Sequence, residues 1–372
     1  MMKSVLSMSE QRNQYNSLQL LRAFAFLSVF ASHVLIADDA FSRWGVAIFF
    51  ILSGFLNSLH DDDKNDYIDV KYSFSYAVKK VKKIYKLHVV MTLIALLLWI
   101  VSNWELYRAN FVKEVVLSVF KLATNLLLIS DFLPSDGKIG LVFSEYNIVS
   151  WYLSASFFFY LLTPVLVRLT KKTKRPILIS VVPFILTVLV DVLLVVCMGV
   201  DRAFWYIYEC PLFRLSDYLI GIQMGYLYVS NWSKESKQNA IRYKSWLMLM
   251  LGIVSSFVLL AVGQMTESPI RWFINSGFYF TIPAVLLIMS LTMMNGRIED
   301  AAGNTRVVRS LIVLGNLSGY AYLIHVPVIN LVHGVYKRFG IVNVYVWCLI
   351  SLVITIVLSV LAKRKMGTQK NR

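Results

Sequence analysis

The chain opens its first long apolar stretch at residues 18–36 with the sequence LQLLRAFAFLSVFASHVLI. A stretch of this length is enough to cross the hydrocarbon core of a bilayer as an α-helix. Two ionisable residues, Arg22 and His33, interrupt it. At about 100° per residue, a spacing of eleven residues places both side chains on one helix face, about 16 Å apart along the axis. Because ionisable groups at membrane depth are costly and usually functional, this arrangement predicts chemistry inside a membrane.

Composition supports a membrane setting independently of any motif. Of the 372 residues, 58% are hydrophobic and 16% are charged, and the mean hydropathy is +0.63. This is more apolar material than a soluble core of this size needs. Apolar windows predict an all-α, polytopic membrane helix bundle of about ten transmembrane helices. We predict the spans at 18–36, 44–59, 87–103, 147–167, 177–199, 213–229, 245–263, 272–294, 310–331 and 341–362.

The distribution of basic residues predicts the orientation of the bundle. With the N-terminus inside, 26 of the 37 Lys and Arg residues fall in inner segments and nine in outer ones. Short cytoplasmic loops are rich in Lys and Arg, so we expect both termini in the cytoplasm. The expected division is an N-terminal segment at 1–17, one membrane domain at 18–362 and a basic tail at 363–372. The net charge of +16 then follows from topology rather than from nucleic-acid binding.

Other polar segments have simpler interpretations. The three cysteines are widely separated and fit neither metal-ligand nor disulfide spacing, so we expect packing roles and no metal. The segment from Phe111 to Ser130 carries charges and is interpreted as an interfacial or re-entrant helix on the outer side. Aromatic residues near span ends, Trp205 and Tyr208 among them, are typical of interface belts. The loop before the third span is dense enough in lysine to attract anionic lipid headgroups or a phosphorylated cofactor, through Lys79, Lys80, Lys82, Lys83 and Lys86.

Four motifs in one order resemble the membrane acyltransferase family 3, from about residue 16 to 362. The first joins Leu21-Arg22-Ala23-Phe24, through His33, to Phe49-Phe50-Ile51-Leu52-Ser53-Gly54-Phe55. The second runs from Ser150-Trp151-Tyr152-Leu153 to Thr163-Pro164, and the third is Arg214-Leu215-Ser216-Asp217 with Gly221. The fourth runs from Leu317-Ser318-Gly319-Tyr320 to His325-Val326-Pro327.

The resemblance implies an enzyme that moves an acyl group, usually acetyl from acetyl-CoA, to a hydroxyl of a surface or lipid-linked saccharide. It implies a multi-pass protein of the inner (cytoplasmic) membrane whose partners are the bilayer, acyl-CoA and a saccharide acceptor. The implied site residues are His33 and Arg22 as catalytic, Arg214, Asp217, His325, Trp151 and Ser53 as substrate-binding, and Arg22, Lys80 and Lys83 as binding acyl-CoA.

The chain differs from the family pattern at the following positions. Ser156 occupies a position where many members have Glu, so this chain has no carboxylate at that position. Lys80 and Lys83 replace a common Arg-x-x-Arg, which retains charge but weakens bidentate phosphate binding.

The placement of the first motif suggests a mechanism. A neutral imidazole can take a hydroxyl proton near neutral pH. We therefore expect His33, near the outer end of its span, to act as general base while a saccharide hydroxyl attacks the thioester. A covalent acyl-histidine step is the alternative mechanism. Acyl-CoA is cytoplasmic, so Arg22, in the cytoplasmic third of the span, is assigned to CoA contacts or to ordering the channel.

The same residues also fit structural roles, and the chain as a whole fits a second function. A structural His33 would bond a neighbouring backbone carbonyl, and a structural His325 would brace a pair of helices. A structural Arg22 would anchor its helix by facing the lipid headgroups. Ser53-Gly54 fits a close helix-packing point better than a nucleophile. The alternative function is a transporter or flippase whose buried Arg and His line a substrate path. Transporters usually show inverted repeats with broken helices, and the sequence shows none.

Overall fold

A computed structural model describes residues 15–35, 40–59, 69–135, 142–143, 146–232, 238–264, 276–340 and 343–367. Most of the predicted N-terminal segment and residues 368–372 of the predicted tail lie outside these ranges. The described residues form helices and contain no β-strand. The helices are α1 (Asn16–Leu35), α2 (Ala40–Leu59), α3 (Val70–Ser102), α4 (Trp104–Ala109), α5 (Phe111–Leu126), α6 (Trp151–Lys172), α7 (Leu178–Met198), α8 (Val200–Phe204), α9 (Pro211–Leu227), α10 (Gln238–Gly263), α11 (Thr281–Met293), α12 (Asn295–Asn304), α13 (Arg306–Arg338) and α14 (Val344–Gly367).

The prediction of an all-α polytopic bundle is confirmed. Across the described ranges, eight helices are long and apolar enough to cross a membrane, and a pair bent by 70° gives a ninth. That pair consists of Gly277–Met293 and Asn295–Asn304. The remaining predicted span, 213–229, corresponds to α9, whose 17 residues lead into a π-helix at Tyr228–Trp232.

The bundle has a buried centre and an exposed apolar periphery. At the centre, α9 packs along α2, α13 packs along α1, and α1 contacts α2. Helices α3 and α6 pack on each other and on this centre. Of the most apolar part of α2, 78% is buried, against 6% in α7 and 17% in α10. Exposed apolar faces of this extent indicate that α7 and α10 contact lipid.

Glycines let the two central helices α2 and α9 approach closely. A Cβ added at Gly54 would collide with the backbone carbonyl of Tyr218, and one added at Gly221 would collide with that of Ile51. Small residues at such contacts are characteristic of membrane helix pairs, where backbones pack directly. The interpretation of Gly54 as a packing residue is therefore confirmed.

The lysine cluster lies in a helix, and its prediction as a loop was wrong. Helix α3 begins at Val70 and continues without a break to Ser102, so it includes the whole cluster. The carboxylate of Asp69 caps its first turn by accepting a hydrogen bond from the Tyr72 amide at 2.6 Å. The cap satisfies an amide that has no partner within the helix, and lysine is a good helix former. The helix therefore starts well before the apolar window that predicted it.

Helix α5 matches an interfacial helix rather than a span. It is not among the described helices that are long and apolar enough to cross a membrane. Its apolar residues Phe111 and Val116 are exposed, whereas Glu114, Lys121 and Asn125 are buried against the protein. An apolar face directed outward is expected where a helix lies in the membrane interface.

Candidate active site

Two cavities inside the bundle hold most of the predicted site residues. We call them the inner and the outer cavity, after the predicted sides of the membrane. The inner cavity has a volume of about 210 Å³, and its lining includes Arg22, Phe49, Ser53, Lys80, Tyr152 and Ser156. The outer cavity has a volume of about 220 Å³, and its lining includes His33, Arg43, Trp151, Phe204, Tyr208 and Glu209. Tyr322 lines both.

The two predicted histidines form a close pair with unequal access. Their ring centroids are 5.2 Å apart. His33 is half-buried and lines the outer cavity, whereas His325 is fully buried and lines neither cavity. The Nδ1 of His325 donates to the carbonyl of Tyr322 at 2.8 Å, which leaves Nε2 with a lone pair. Only His33 of the two is therefore placed to meet a substrate in the outer cavity.

Arg214 and Asp217 lie behind the outer cavity rather than in its lining. They share one face of α9, as the spacing predicts, and form an ion pair of 2.8 Å that is fully buried. The contact between Arg214 Nη2 and Asp217 Oδ2 is not aligned as a hydrogen bond. The other carboxylate oxygen of Asp217, Oδ1, accepts a hydrogen bond from the Thr281 hydroxyl at 3.4 Å. The Arg214 guanidinium lies 5.5 Å from the ring centroid of Tyr208 and 5.2 Å from that of Phe50. The ion pair thus supports the aromatic wall of the cavity from behind.

Sequence analysis missed two charged residues of the outer cavity. Arg43 is 6% exposed in the first turn of α2, with its guanidinium 5.4 Å from the ring centroid of Tyr208. Its spacing to Val46 and Phe50 on the same helix face is the signal that would have found it. A π-helix at Trp205–Glu209 places Glu209 in the cavity lining. No pattern in the sequence indicated that Glu209 belongs to the site.

The electrostatic setting of Glu209 is unusual. Glu209 lies between the membrane-crossing helices and not within one of them. Burial raises the pKa of Glu209 to about 8, and the nearby Asp131 carboxyl adds to this shift. Burial likewise raises the pKa of Asp131 to about 7. At neutral pH Glu209 is therefore mostly protonated and Asp131 is protonated about half of the time, whereas ordinary carboxyls would be ionised.

Burial also corrects the interface-belt interpretation. Tyr208 is 7% exposed and Trp205 is 9% exposed, so both rings pack inside the protein instead of projecting into a membrane interface. Trp151 is 4% exposed and lies in the outer cavity lining, with its ring 5.3 Å from that of Tyr208.

The inner cavity gathers part of the predicted donor site. Arg22 is half-buried there, and the Ser53 hydroxyl lies 3.2 Å from the hydroxyl of Tyr160. The Lys80 ammonium lies 5.0 Å from the ring centroid of Tyr76, at the exposed edge of the cavity. Lys83 is exposed and lines neither cavity. The structure thus unites Arg22, Ser53 and Lys80 and leaves Lys83 outside.

Comparison with known proteins identifies the family. The acyltransferase 3 family, described as an acyltransferase domain, matches residues 15–364. The chain belongs to this family. It is also 26% identical over 345 residues to "Acyltransferase MdmB" of Streptomyces mycarofaciens, a match that covers 85% of this chain and 79% of that protein. No solved structure matches the chain.

As a member of the acyltransferase 3 family, the chain is a multi-pass membrane acyltransferase. Membership favours acyl transfer over the transporter alternative. Both cavities carry cationic residues, Arg22 and Lys80 in the inner one and Arg43 in the outer one, and the imidazole of His33 lies in the outer one.

Proposed function

We propose that this acyltransferase moves an acetyl group from cytoplasmic acetyl-CoA to a hydroxyl of a surface or lipid-linked saccharide. The observation that supports the proposal is the pair of cavities on either side of Tyr322. One presents Arg22 and Lys80, and the other presents His33. Since acetyl-CoA is made in the cytoplasm, we assign the protein to the cytoplasmic membrane.

The inner cavity is the proposed donor site. Guanidinium and ammonium groups are the usual protein partners of phosphate, so Arg22 and Lys80 would hold the charged end of coenzyme A. The pantetheine arm then extends toward Tyr322. Arg22 does not share a cavity with His33, so its role is donor binding rather than contact with the reacting carbonyl.

The outer cavity is the proposed reaction site. The imidazole of His33 takes the proton of the acceptor hydroxyl, whose oxygen attacks the thioester carbonyl carbon. Arg43 lines the same cavity and supplies positive charge for the oxyanion of the tetrahedral intermediate. The C–S bond then breaks, and the imidazolium returns its proton to the thiolate of coenzyme A. The products are an O-acetyl ester and the free thiol, so protons and electrons balance within the site.

The lining of the outer cavity also suits a saccharide acceptor. Trp151, Phe204 and Tyr208 offer aromatic faces, and Arg43 and Glu209 offer polar contacts for hydroxyl groups. Small-molecule sites typically combine an apolar lining with a few polar groups that fix orientation.

The test uses membrane vesicles from cells whose own copy is replaced by each variant, incubated with acetyl-labelled acetyl-CoA. Wild type should release CoA thiol and label a saccharide fraction, and mass analysis should find the matching acetyl mass. His33→Ala should lower both signals at least about a hundredfold, the usual contribution of a general base. His333→Ala is the matched control because His333 is exposed near the end of α13 and stacks on Trp347, away from both cavities. Wild-type transfer by a folded, inserted His33→Ala protein would refute the mechanism, and intact acetyl-CoA with wild type would refute the function.

A further inference from the structure

Tyr322 stands where the two cavities meet. Among the described residues it is the shared member of the two linings, and its side chain is only 5% exposed. The other residues near Tyr322 line one cavity or the other. Tyr152 and Phe49 line the inner cavity, whereas Trp151 and Val46 line the outer one. Tyr322 therefore lies between the two cavities, and a group moving from one to the other would pass its ring.

Aromatic rings surround the Tyr322 ring closely. Its centroid lies 5.2 Å from that of Tyr152, 5.9 Å from that of Phe49 and 5.8 Å from that of His325. The backbone is held as well, because its carbonyl accepts the hydrogen bond from His325. A ring packed among other rings cannot swing aside without disturbing them, so little room remains beside it for a group to move between the cavities.

The proposed reaction requires a path between the two cavities. Each cavity alone is smaller than the roughly 300–1,000 Å³ of a usual small-molecule site. On the proposed function, on which this inference rests, the nucleotide stays at the inner side while the thioester must reach His33. The acyl end of the donor must therefore move past the ring of Tyr322 to reach the outer cavity.

We propose that Tyr322 determines which acyl groups are transferred, by admitting an acetyl-sized group past its ring and excluding longer ones. The selectivity is steric and comes from the ring, not from the hydroxyl. Tyr322→Ala should remove the partition and merge the two cavities, whereas Tyr322→Phe should keep it.

The experiment compares acetyl-CoA with butyryl-CoA in vesicles that carry each variant and a saccharide extract of the same cells. The readouts are CoA thiol release and labelled acyl transfer, with His33→Ala as the background. A single methylene in an apolar pocket discriminates by about 10–200-fold, so Tyr322→Ala should raise the butyryl-to-acetyl rate ratio at least about tenfold. Tyr322→Phe should leave the ratio within about twofold of wild type. Tyr320→Ala is the matched control, two residues away on α13 and in neither lining.

The outcomes separate this inference from the proposed function. If wild type transfers acetyl but Tyr322→Ala keeps the wild-type ratio, Tyr322 does not set selectivity. If wild type releases no thiol, the proposed function fails instead. If Tyr322→Ala does not fold, two other variants open the same space: Tyr322→Leu, which keeps more of the side chain, and Tyr152→Ala, which removes the neighbouring ring. A wild-type ratio in both of these would overturn the inference, and a raised ratio in either would support it.

Discussion

Arg22 and His33 share a helix face but line different cavities. Arg22 belongs to the inner lining with Lys80, and His33 belongs to the outer lining with Arg43 and Glu209. The spacing along α1 accounts for this separation, since eleven residues of helix span about 16 Å. One helix thus presents the proposed donor-binding cation and the proposed base at two depths.

A change at Arg22 should affect donor binding more than turnover. Arg22→Gln removes a charged donor whose hydrogen bond to phosphate is worth about 1.5–3 kcal/mol, so the KM for acetyl-CoA should rise by about 10–100-fold. The kcat should change by less than about threefold. Lys82→Gln, an exposed cation of α3 outside both linings, is the matched control for net charge. A drop in kcat at unchanged KM would instead assign Arg22 to the chemical step.

The protonated state of Glu209 should make stability depend on pH. Because burial raises its pKa from 4.5 to about 8, the folded state binds more protons than the unfolded state between these values. Stability should therefore fall as the pH rises through this window, and most of the loss should be complete above pH 8.

Thermal unfolding in detergent at several pH values measures this dependence. Glu209→Gln should flatten the slope of the unfolding temperature between pH 6 and about 8, because the amide does not titrate. An unchanged slope in that variant would show that Glu209 is ionised at neutral pH.

At the scale of elements, the contact between α2 and α9 organises the bundle. Gly54 and Gly221 let the two backbones meet, and this places the ion pair of α9 behind the aromatic wall next to α2. A side chain at either glycine would force the helices apart, since the atoms that it would meet are backbone atoms that cannot rotate away.

Gly54→Ala should therefore destabilise the protein despite the higher helix propensity of alanine. Overpacking of this kind costs about 1–3 kcal/mol, which should appear as a lower unfolding temperature. Gly334→Ala is the matched control in α13, because a Cβ there meets nothing within 4 Å. Alanine should be neutral or stabilising by up to about 1 kcal/mol at that site. Equal unfolding temperatures for both variants would contradict the close helix contact.

At the scale of the whole molecule, charge asymmetry and the cavities predict the same direction of transfer. Lysines of α3 cluster near the inner cavity, and the side with excess Lys and Arg is predicted to be cytoplasmic. Donor and acceptor would then enter from opposite faces of one bundle.

Acetyl-CoA should therefore be used from one side of the membrane only. Inverted vesicles should release CoA thiol on addition of acetyl-CoA, whereas sealed right-side-out vesicles should release little until they are permeabilised. The ratio of rates before and after permeabilisation measures the sidedness, and His33→Ala vesicles give the background. Equal rates in sealed vesicles of both orientations would contradict the predicted topology.

The sequence by itself determined the features that depend on neighbours along the chain. Apolar windows specified a polytopic helical bundle, and helical periodicity predicted the shared faces of Arg22 with His33 and of Arg214 with Asp217. The motif order was sufficient to indicate the family. These features are local because a helix satisfies its own backbone, which makes its length and faces readable from composition.

Only the tertiary structure decided which side chains meet. Arg43, Glu209 and Tyr322 come from α2, a π-helix and α13, and although the helix face of Arg43 can be predicted, no local pattern shows that the three share a cavity with His33. The structure also placed His325 behind His33 and left Lys83 outside the inner cavity. The physical reason is that helix rotation and approach follow from packing between distant segments, here from backbone contacts at Gly54 and Gly221. Those contacts are made by residues far apart in the chain, so no local pattern encodes the cavities that they create.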